Sequence, residues 1–338
     1  MARSMARTMS CGSHFAGNVQ AFEASPRRID TYKWRQAMTK QSNHISICIC
    51  TYKRPTFLQH LLTELVNQET GGRFTYSIVV SDNDRLCSAE PLVSEFAATS
   101  NIDVKYCVEP QQSIALARNK AVQNATGDYI AFIDDDEFPV RHWLRTLFAA
   151  CEKYGVDGVL GPVKPLFGEG VPRWIVKGRF YDRPCYETGF VLAHGQTRTG
   201  NVLLREHVLR ETNSAFRPEF RAGEDVDFFR RAMEQGSVFI WCNEAVVYEA
   251  VPPPRWKRMY LLRKALLRGA CAALRPTIGV LDVTKSVVAV PIYGLALPLA
   301  ALVGQHRFMV LLVRLCDHLG KLLALLGMNP IAEPYITG

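Results

Sequence analysis

Four consecutive carboxylates, Asp134-Asp135-Asp136-Glu137, close the apolar run Tyr129-Ile130-Ala131-Phe132-Ile133. Such a run reads as a buried strand, so like charges are delivered together at its end. Crowding them raises the Coulomb energy unless a cation offsets it. Hard cations such as Mg²⁺ take carboxylate oxygen, commonly one or two carboxylates with substrate phosphates completing the shell. Asp134-x-Asp136 therefore suggests a divalent ion holding a diphosphate, and alone it equally describes a solvated acidic turn. A second acidic group, Glu224-Asp225 after Gly223, opens a helix whose Val226, Phe229 and Met233 share one side. Carboxylates in a first turn are favoured by the helix dipole, so this pair is structural or chemical on its own evidence.

The elements that must position these groups alternate. An apolar strand over 45–50 is followed by a helix starting at Pro55, with Phe57, Leu58, Leu61, Leu62, Leu65 and Val66 at helical spacing, ended by Gly71-Gly72. A strand over 76–80 ends on Ser81-Asp82-Asn83-Asp84; a helix near 88–98 and a strand near 104–108 follow. Ser113 caps a helix over 114–124, Gly127 stops it, and the acid-ended strand over 129–133 comes next. This order predicts an α/β fold with a mainly parallel, mixed sheet flanked by helices and right-handed crossovers. Ligands of such sheets bind beyond the carboxyl ends of the strands, where Thr51-Tyr52, Asp82-Asn83-Asp84 and Asp134-x-Asp136 all fall. Neither a GxGxxG nor a GxxxxGK[ST] occurs, so a bound nucleotide would need a metal in place of a glycine-rich cradle. Beyond residue 155 the pattern loosens, with Gly161-Pro162-Val163-Lys164-Pro165 and Pro172-Arg173-Trp174 reading as loops with anchoring aromatics.

The 338 residues suffice for one large domain or two, and a net charge of +8 suits nucleic acid, anionic lipid or a phosphate-bearing substrate. Residues 1–41 carry Arg3, Arg7, Arg27 and Arg28 without a continuous apolar core. They read as a disordered basic leader, with a transit peptide as the alternative, and not as a secretory signal. Ten cysteines without a CxxC or a zinc-like His/Cys spacing read as reduced thiols. The region 251–338 begins with Arg255, Lys257, Arg258, Arg263, Lys264 and Arg268, and 286–306 then holds no Asp, Glu, Lys or Arg. That length can span a bilayer, or, with Pro291, Gly294 and Pro298, enter it kinked. The stretch 308–326, with Arg314, Asp317 and Lys321 among leucines, reads as an amphipathic interfacial helix. A basic block beside an apolar run points to the cytoplasmic face of an anionic (inner or plasma) membrane, and a soluble helical hairpin closing the core is the alternative.

Six pieces in order, Cys50-Thr51-Tyr52-Lys53-Arg54-Pro55, Val79-Val80-Ser81-Asp82-Asn83-Asp84, Leu116-Ala117-Arg118-Asn119-Lys120-Ala121, Phe132-Ile133-Asp134-Asp135-Asp136-Glu137, Thr199-Gly200-Asn201-Val202-Leu203-Leu204-Arg205 and Gly223-Glu224-Asp225-Val226-Asp227-Phe228, carry a family resemblance. Over 45–267 the chain resembles family 2 glycosyltransferases, inverting enzymes with a GT-A type sheet. Within them it is similar to the succinoglycan-type transferases of bacterial exopolysaccharide assembly. The resemblance implies a catalytic domain over 42–250, with a nucleotide-sugar half over 42–140 and an acceptor half over 141–250. It implies that Thr51 and Tyr52 line the base pocket and that Asp82 accepts the pyrimidine imide N–H, which selects uracil. Arg118 is placed near the nucleotide, with an exposed helix arginine as the plainer reading. Asp134 is placed by the ribose or metal, Asp136 on the metal (Mn²⁺ or Mg²⁺), and Arg54, Asp84 and Asp135, in the same motifs, with the donor. Asp225 is implied as general base and Glu224 as its orienter. Asn201 and Trp174 fall on the acceptor side, or are a turn residue and a core aromatic.

Two departures stand out. Glu249 occupies a position where some members carry a metal-binding His, and Pro253-Pro254-Arg255-Trp256 lacks the Gln of the processive QxxRW motif. The expectation is therefore transfer of a single sugar from a nucleotide sugar, UDP-linked, to a saccharide or lipid-linked saccharide at a membrane surface, with no nucleic acid partner. A sugar-phosphate nucleotidyltransferase is the alternative, disfavoured because Tyr52-Lys53-Arg54-Pro55 stands where its glycine-rich loop would be. A non-catalytic, membrane-associated nucleotide-sugar binder is the other.

Overall fold

A computed structural model describes residues 43–212, 215–220, 223–273, 278–328 and 331, so the basic leader lies outside the described residues. In chain order the elements are β1 (Asn43–Thr51), α1 (Pro55–Val66), β2 (Phe74–Asp82), α2 (Glu90–Thr99), β3 (Asp103–Val108), α3 (Ile114–Asn124), β4 (Tyr129–Phe132), β5 (Glu137–Pro139), α4 (Trp143–Tyr154), β6 (Gly158–Leu160), β7 (Val163–Phe167), α5 (Arg173–Gly178), β8 (Val202–Arg205), α6 (Glu206–Glu211), α7 (Glu224–Glu234), β9 (Phe239–Trp241) and β10 (Val247–Val251), then the helices α8 (Arg258–Ala273), α9 (Val280–Val303) and α10 (Gln305–Leu325).

Seven strands form one sheet in the order β3-β2-β1-β4-β8-β6-β9. β1 pairs with β2 and with β4 in parallel, and β2 with β3; β8 runs antiparallel to β4 and β6, giving the mixed α/β sheet expected. Alternate residues of β1 face opposite layers: Ile45, Ile47 and Ile49 pack with α1 and α4, while Cys48 joins the layer holding Phe228 and Phe229 of α7. This is the period-2 logic of a strand buried on both faces. The Oγ of Ser113 accepts the Leu116 N–H at 3.5 Å, so the expected cap of α3 is present. Gly127 does not end that helix. A Cβ there would meet the Ser46 nitrogen at 2.6 Å, so it is the close approach to β1 that requires glycine. On α7 the buried apolar face is Phe228, Phe229 and Ala232, with Val226 and Met233 at its margins.

A second sheet, β5-β10-β7, leaves the carboxyl end of β4 and sets Glu249 directly opposite Glu137 in an antiparallel register. Cys48, Cys50, Cys87, Cys107, Cys151, Cys185, Cys242 and Cys316 are free thiols. At the C-terminus α10 packs on α8 so closely that a Cβ on Gly269 would lie 2.0 Å from the Asp317 carbonyl. α9 is long and apolar enough to cross a membrane, by length and composition, and little of it is buried.

Candidate active site

The carboxyl ends of β1, β2 and β4 meet as the sequence implies, and the charges there are interleaved. Thr51 closes β1 and donates its hydroxyl to Asp135 Oδ2 at 2.8 Å. Lys53 then takes φ 55°, a left-handed turn that strains a non-glycine residue. Arg54 follows, and its Nη1 reaches Asp135 Oδ1 at 3.2 Å and Asp136 Oδ2 at 3.3 Å. Arg255 approaches from the other side, 2.7 Å from Asp136 Oδ2 and 3.2 Å from Glu249 Oε1. Arg183 pairs with Glu249 and lies 3.9 Å from Glu137 Oε1. Like charges facing across a ladder destabilise it, and here one guanidinium serves both members of the Glu137/Glu249 pair.

Arg118 links this rim to α7. It is buried rather than an exposed helix arginine, 3.7 Å from Asp134 Oδ1 and ion-paired to Glu224. Glu224 is thereby fixed in the first turn of α7, and burial raises its pKa above the ordinary range. Asp225, next in that turn, is half-buried and accepts the Val226 N–H on Oδ1 at 2.8 Å. Asp225 is also close enough to act electrostatically on Arg118. Asp134, Asp136, Arg118, Glu224 and Asp225 thus form one continuous neighbourhood.

Two of the expected site residues are engaged within the protein itself. Asp82 stands at the rim, but it is wholly buried: Oδ2 accepts Ala89 N–H at 2.8 Å and the Tyr106 hydroxyl at 2.9 Å, and Oδ1 accepts Asp84 N–H at 3.0 Å. It braces its loop. Asp84 takes Leu86 N–H on Oδ1 at 3.2 Å and, among the described residues, its Oδ2 accepts nothing. Asn201 is also wholly buried, at φ 60°. It accepts Trp143 Nε1–H at 2.7 Å and donates to the carbonyls of Pro162 at 3.0 Å and Ala245 at 2.7 Å. Asn201 is a joint between loops, which fits the turn-residue alternative. Trp174 packs edge-on to Phe180 in the apolar cluster that α10 joins through Val313. Tyr52 follows Thr51, with the Lys53 ammonium 5.1 Å from its ring centre.

Arg183 and Arg255 are the site residues that sequence reasoning missed. Arg255 reads as part of a basic stretch facing a membrane, yet it is buried among carboxylates. Its one signal is the Arg-Trp pair itself, and Arg183 stands in a loop with no motif.

Among the described residues no three His, Cys, Asp or Glu side chains converge to hold a cation by themselves. Asp136 Oδ1 nevertheless carries no hydrogen bond, and the Asp134 side chain is 44% exposed. Two hard oxygen donors fit a divalent ion whose shell substrate oxygens complete. The rim also behaves as short of positive charge. Burial, opposed by Arg54, raises Asp135 from 3.8 to about 7, and burial with neighbouring carboxylates raises Glu137 well above its ordinary value. The folded protein therefore holds protons there that the unfolded chain releases. Stability is greatest below pH 4 on this account and is lost as pH rises through the window from about 4 to 7. Urea unfolding at pH 5 and pH 8 is expected to show the loss, and added Mn²⁺ to restore stability at pH 8 more than at pH 5.

The family model for Glycosyl transferase family 2 matches residues 46–210, and that for Glycosyl transferase family group 2 matches residues 129–330. The succinoglycan biosynthesis protein ExoM of Rhizobium meliloti (strain 1021) is 34% identical over 69% of this chain and 75% of its own length. Glycosyltransferase AglE of Haloferax volcanii is 24% identical over 62% of this chain and 67% of its own. Residues 1–349 of S. aureus TarS, crystallised in complex with UDP-GlcNAc, superpose with a TM-score of 0.50 at 16% identity, over 85% of this chain and 93% of that one, a likeness of fold. With a family model over more than half of its residues and a relative one third identical across most of that relative's length, the chain belongs to glycosyl transferase family 2 and is a glycosyltransferase.

Proposed function

We propose that the protein transfers a single sugar from a UDP-sugar to a saccharide or lipid-linked saccharide, with inversion at the anomeric carbon, in surface polysaccharide synthesis. One observation carries this reading. Arg118 lies 3.7 Å from Asp134 of the acidic rim and is ion-paired to Glu224, the neighbour of Asp225 in the α7 turn, which supports a reading with the leaving group at the rim and the base on that turn. The succinoglycan role in the name of ExoM and the UDP-GlcNAc bound to TarS support the substrate class.

In this reading the donor lies over 42–140. Thr51 and Tyr52 flank the base, and Asp84, whose Oδ2 accepts no hydrogen bond among the described residues, takes the place of the fully engaged Asp82 as acceptor of the uracil imide N–H. Asp134 and Asp136 are the residues that would hold a divalent cation, which when bound neutralises charge on the departing diphosphate. Arg54 and Arg255 fix the direction of the Asp136 carboxylate. The acceptor binds over 141–250. Asp225 takes the proton from its hydroxyl on the oxygen that Val226 leaves unengaged. The hydroxyl oxygen then bonds to the anomeric carbon as the bond to the β-phosphate oxygen breaks, with the electron pair leaving on UDP. One displacement from the opposite face inverts the centre. Residues 251–338 associate with the cytoplasmic face of the membrane through α9. The absence of a Gln before Arg255-Trp256 favours release after one transfer.

A panel of nucleotide sugars incubated with Mn²⁺ or Mg²⁺ tests the reading. The expected result is metal-dependent release of UDP from one or a few UDP-sugars. Pyrophosphate release from an NTP and a sugar phosphate, with no UDP from any donor, would instead establish a nucleotidyltransferase.

A further inference from the structure

The arginines of the rim are ion-paired to carboxylates, and Arg198, though Glu137 and Glu249 act on it from a distance, is not paired among the described residues. Its side chain makes no ion pair and no hydrogen bond among the described residues, and its Nε is buried without a partner. The guanidinium lies 5.9 Å from the centre of the Trp241 ring, a contact that offsets part of its charge. Burial and the neighbouring Arg183 push its pKa down to about 10, so the charge is held against resistance. The hydroxyl of Thr199 and Oε1 of Glu137 are also buried without hydrogen bonds. A Cβ on Gly200 would lie 2.7 Å from that Glu137 oxygen, so the 198–200 stretch rests directly on the acidic rim.

Topology places this stretch on the acceptor side. β8 is antiparallel to β4, so the loop leading into β8 stands at the carboxyl end of β4, across it from β1 and β2. A guanidinium whose Nε is buried without a hydrogen bond, and which makes no ion pair among the described residues, is unfavourable unless water, an ion or a ligand completes it. Arg54, Arg118 and Arg255 already surround the carboxylates of the donor rim, and Arg198 makes no such pair among the described residues.

We propose that Arg198, with the Thr199 hydroxyl, is an anion subsite that receives a phosphate group of the acceptor. This rests on the proposed function, and it adds that the acceptor carries phosphate close to the hydroxyl being glycosylated. The phosphate can be that of an isoprenyl lipid carrier or of a phosphate-bearing saccharide.

Calorimetry on the full chain, saturated with UDP and Mg²⁺, tests it with two probes, a short-chain isoprenyl phosphate in detergent and glucose 6-phosphate. Wild type is expected to bind at least one of them without losing UDP, and the better probe names the source. Arg198→Met is expected to weaken that binding at least tenfold, Arg198→Lys to retain part of it, and UDP affinity to hold in both. The Tm of Arg198→Met is expected to equal or exceed that of wild type, because an uncompensated buried charge is gone. A guanidinium present only for structure would instead lower the Tm and leave phosphate binding intact. Equal phosphate affinity in Arg198→Met, phosphate binding that expels UDP, or no binding of either probe would overturn the subsite while leaving the donor reading in place. A wild-type protein that binds no UDP would overturn the donor reading itself.

Discussion

Replacing Asp225 by Asn is expected to lower kcat by roughly 10²- to 10⁴-fold, the range that a positioned proton acceptor contributes. The amide keeps the shape of the side chain and still accepts the Val226 N–H, so α7 is expected to keep its first turn. It cannot take a proton from the attacking hydroxyl. Affinity for UDP is expected to change by no more than about twofold, because the donor contacts lie across the rim, and a loss confined to kcat marks a group used in the transition state. Single-turnover transfer alongside UDP titration reads both quantities. Full transfer by a folded Asp225→Asn protein would remove the base from α7.

The second large effect is on stability. Arg118→Met is expected to destabilise the fold by about 3–5 kcal/mol, because it leaves Glu224 buried without its cation. Asp134 loses a partner too, but its exposed side chain can turn to solvent. The double variant Arg118→Met with Glu224→Gln is expected to recover a large part of the loss, since neither buried charge remains. Urea denaturation of the two single variants and the double variant closes this cycle. An Arg118→Met protein as stable as wild type would mean that the guanidinium does not hold the α7 turn to the acidic rim.

The sheet was legible because its strands are buried on both faces and its helices on one. Ile45, Ile47 and Ile49 and the helical spacing of Leu58, Leu61, Leu62 and Leu65 are direct records of that burial. The acidic rim was legible for the opposite reason, since Asp134, Asp135 and Asp136 have no packing role that would explain them at a strand end. What spacing could not record is direction. Asp82 and Asp84 are two residues apart in one motif, yet the first turns inward to Tyr106 and Ala89, and only the fold of the loop decides this. Asn201 shows the same thing: a polar residue in a motif next to the rim holds Trp143 and two carbonyls together. Arg183 and Arg255 reach the rim from a loop and from beyond β10, contacts of long sequence separation that no local pattern encodes. Gly127 and Gly200 carry a weaker message, that backbone or carboxylate lies too close for a side chain, and a sequence alone does not say which neighbour is meant.

The central claim is that Asp134 and Asp136 hold a cation together with the diphosphate of a uridine nucleotide. Calorimetric titration of UDP into wild type and into Asp136→Ala, each with Mn²⁺ and with chelator, meets it most directly. Wild type is expected to bind UDP at least tenfold more tightly with Mn²⁺ than with chelator, and Asp136→Ala to show one weak affinity in both conditions. Equal UDP affinity in all four titrations would contradict the claim and reduce the acidic rim to a set of structural ion pairs.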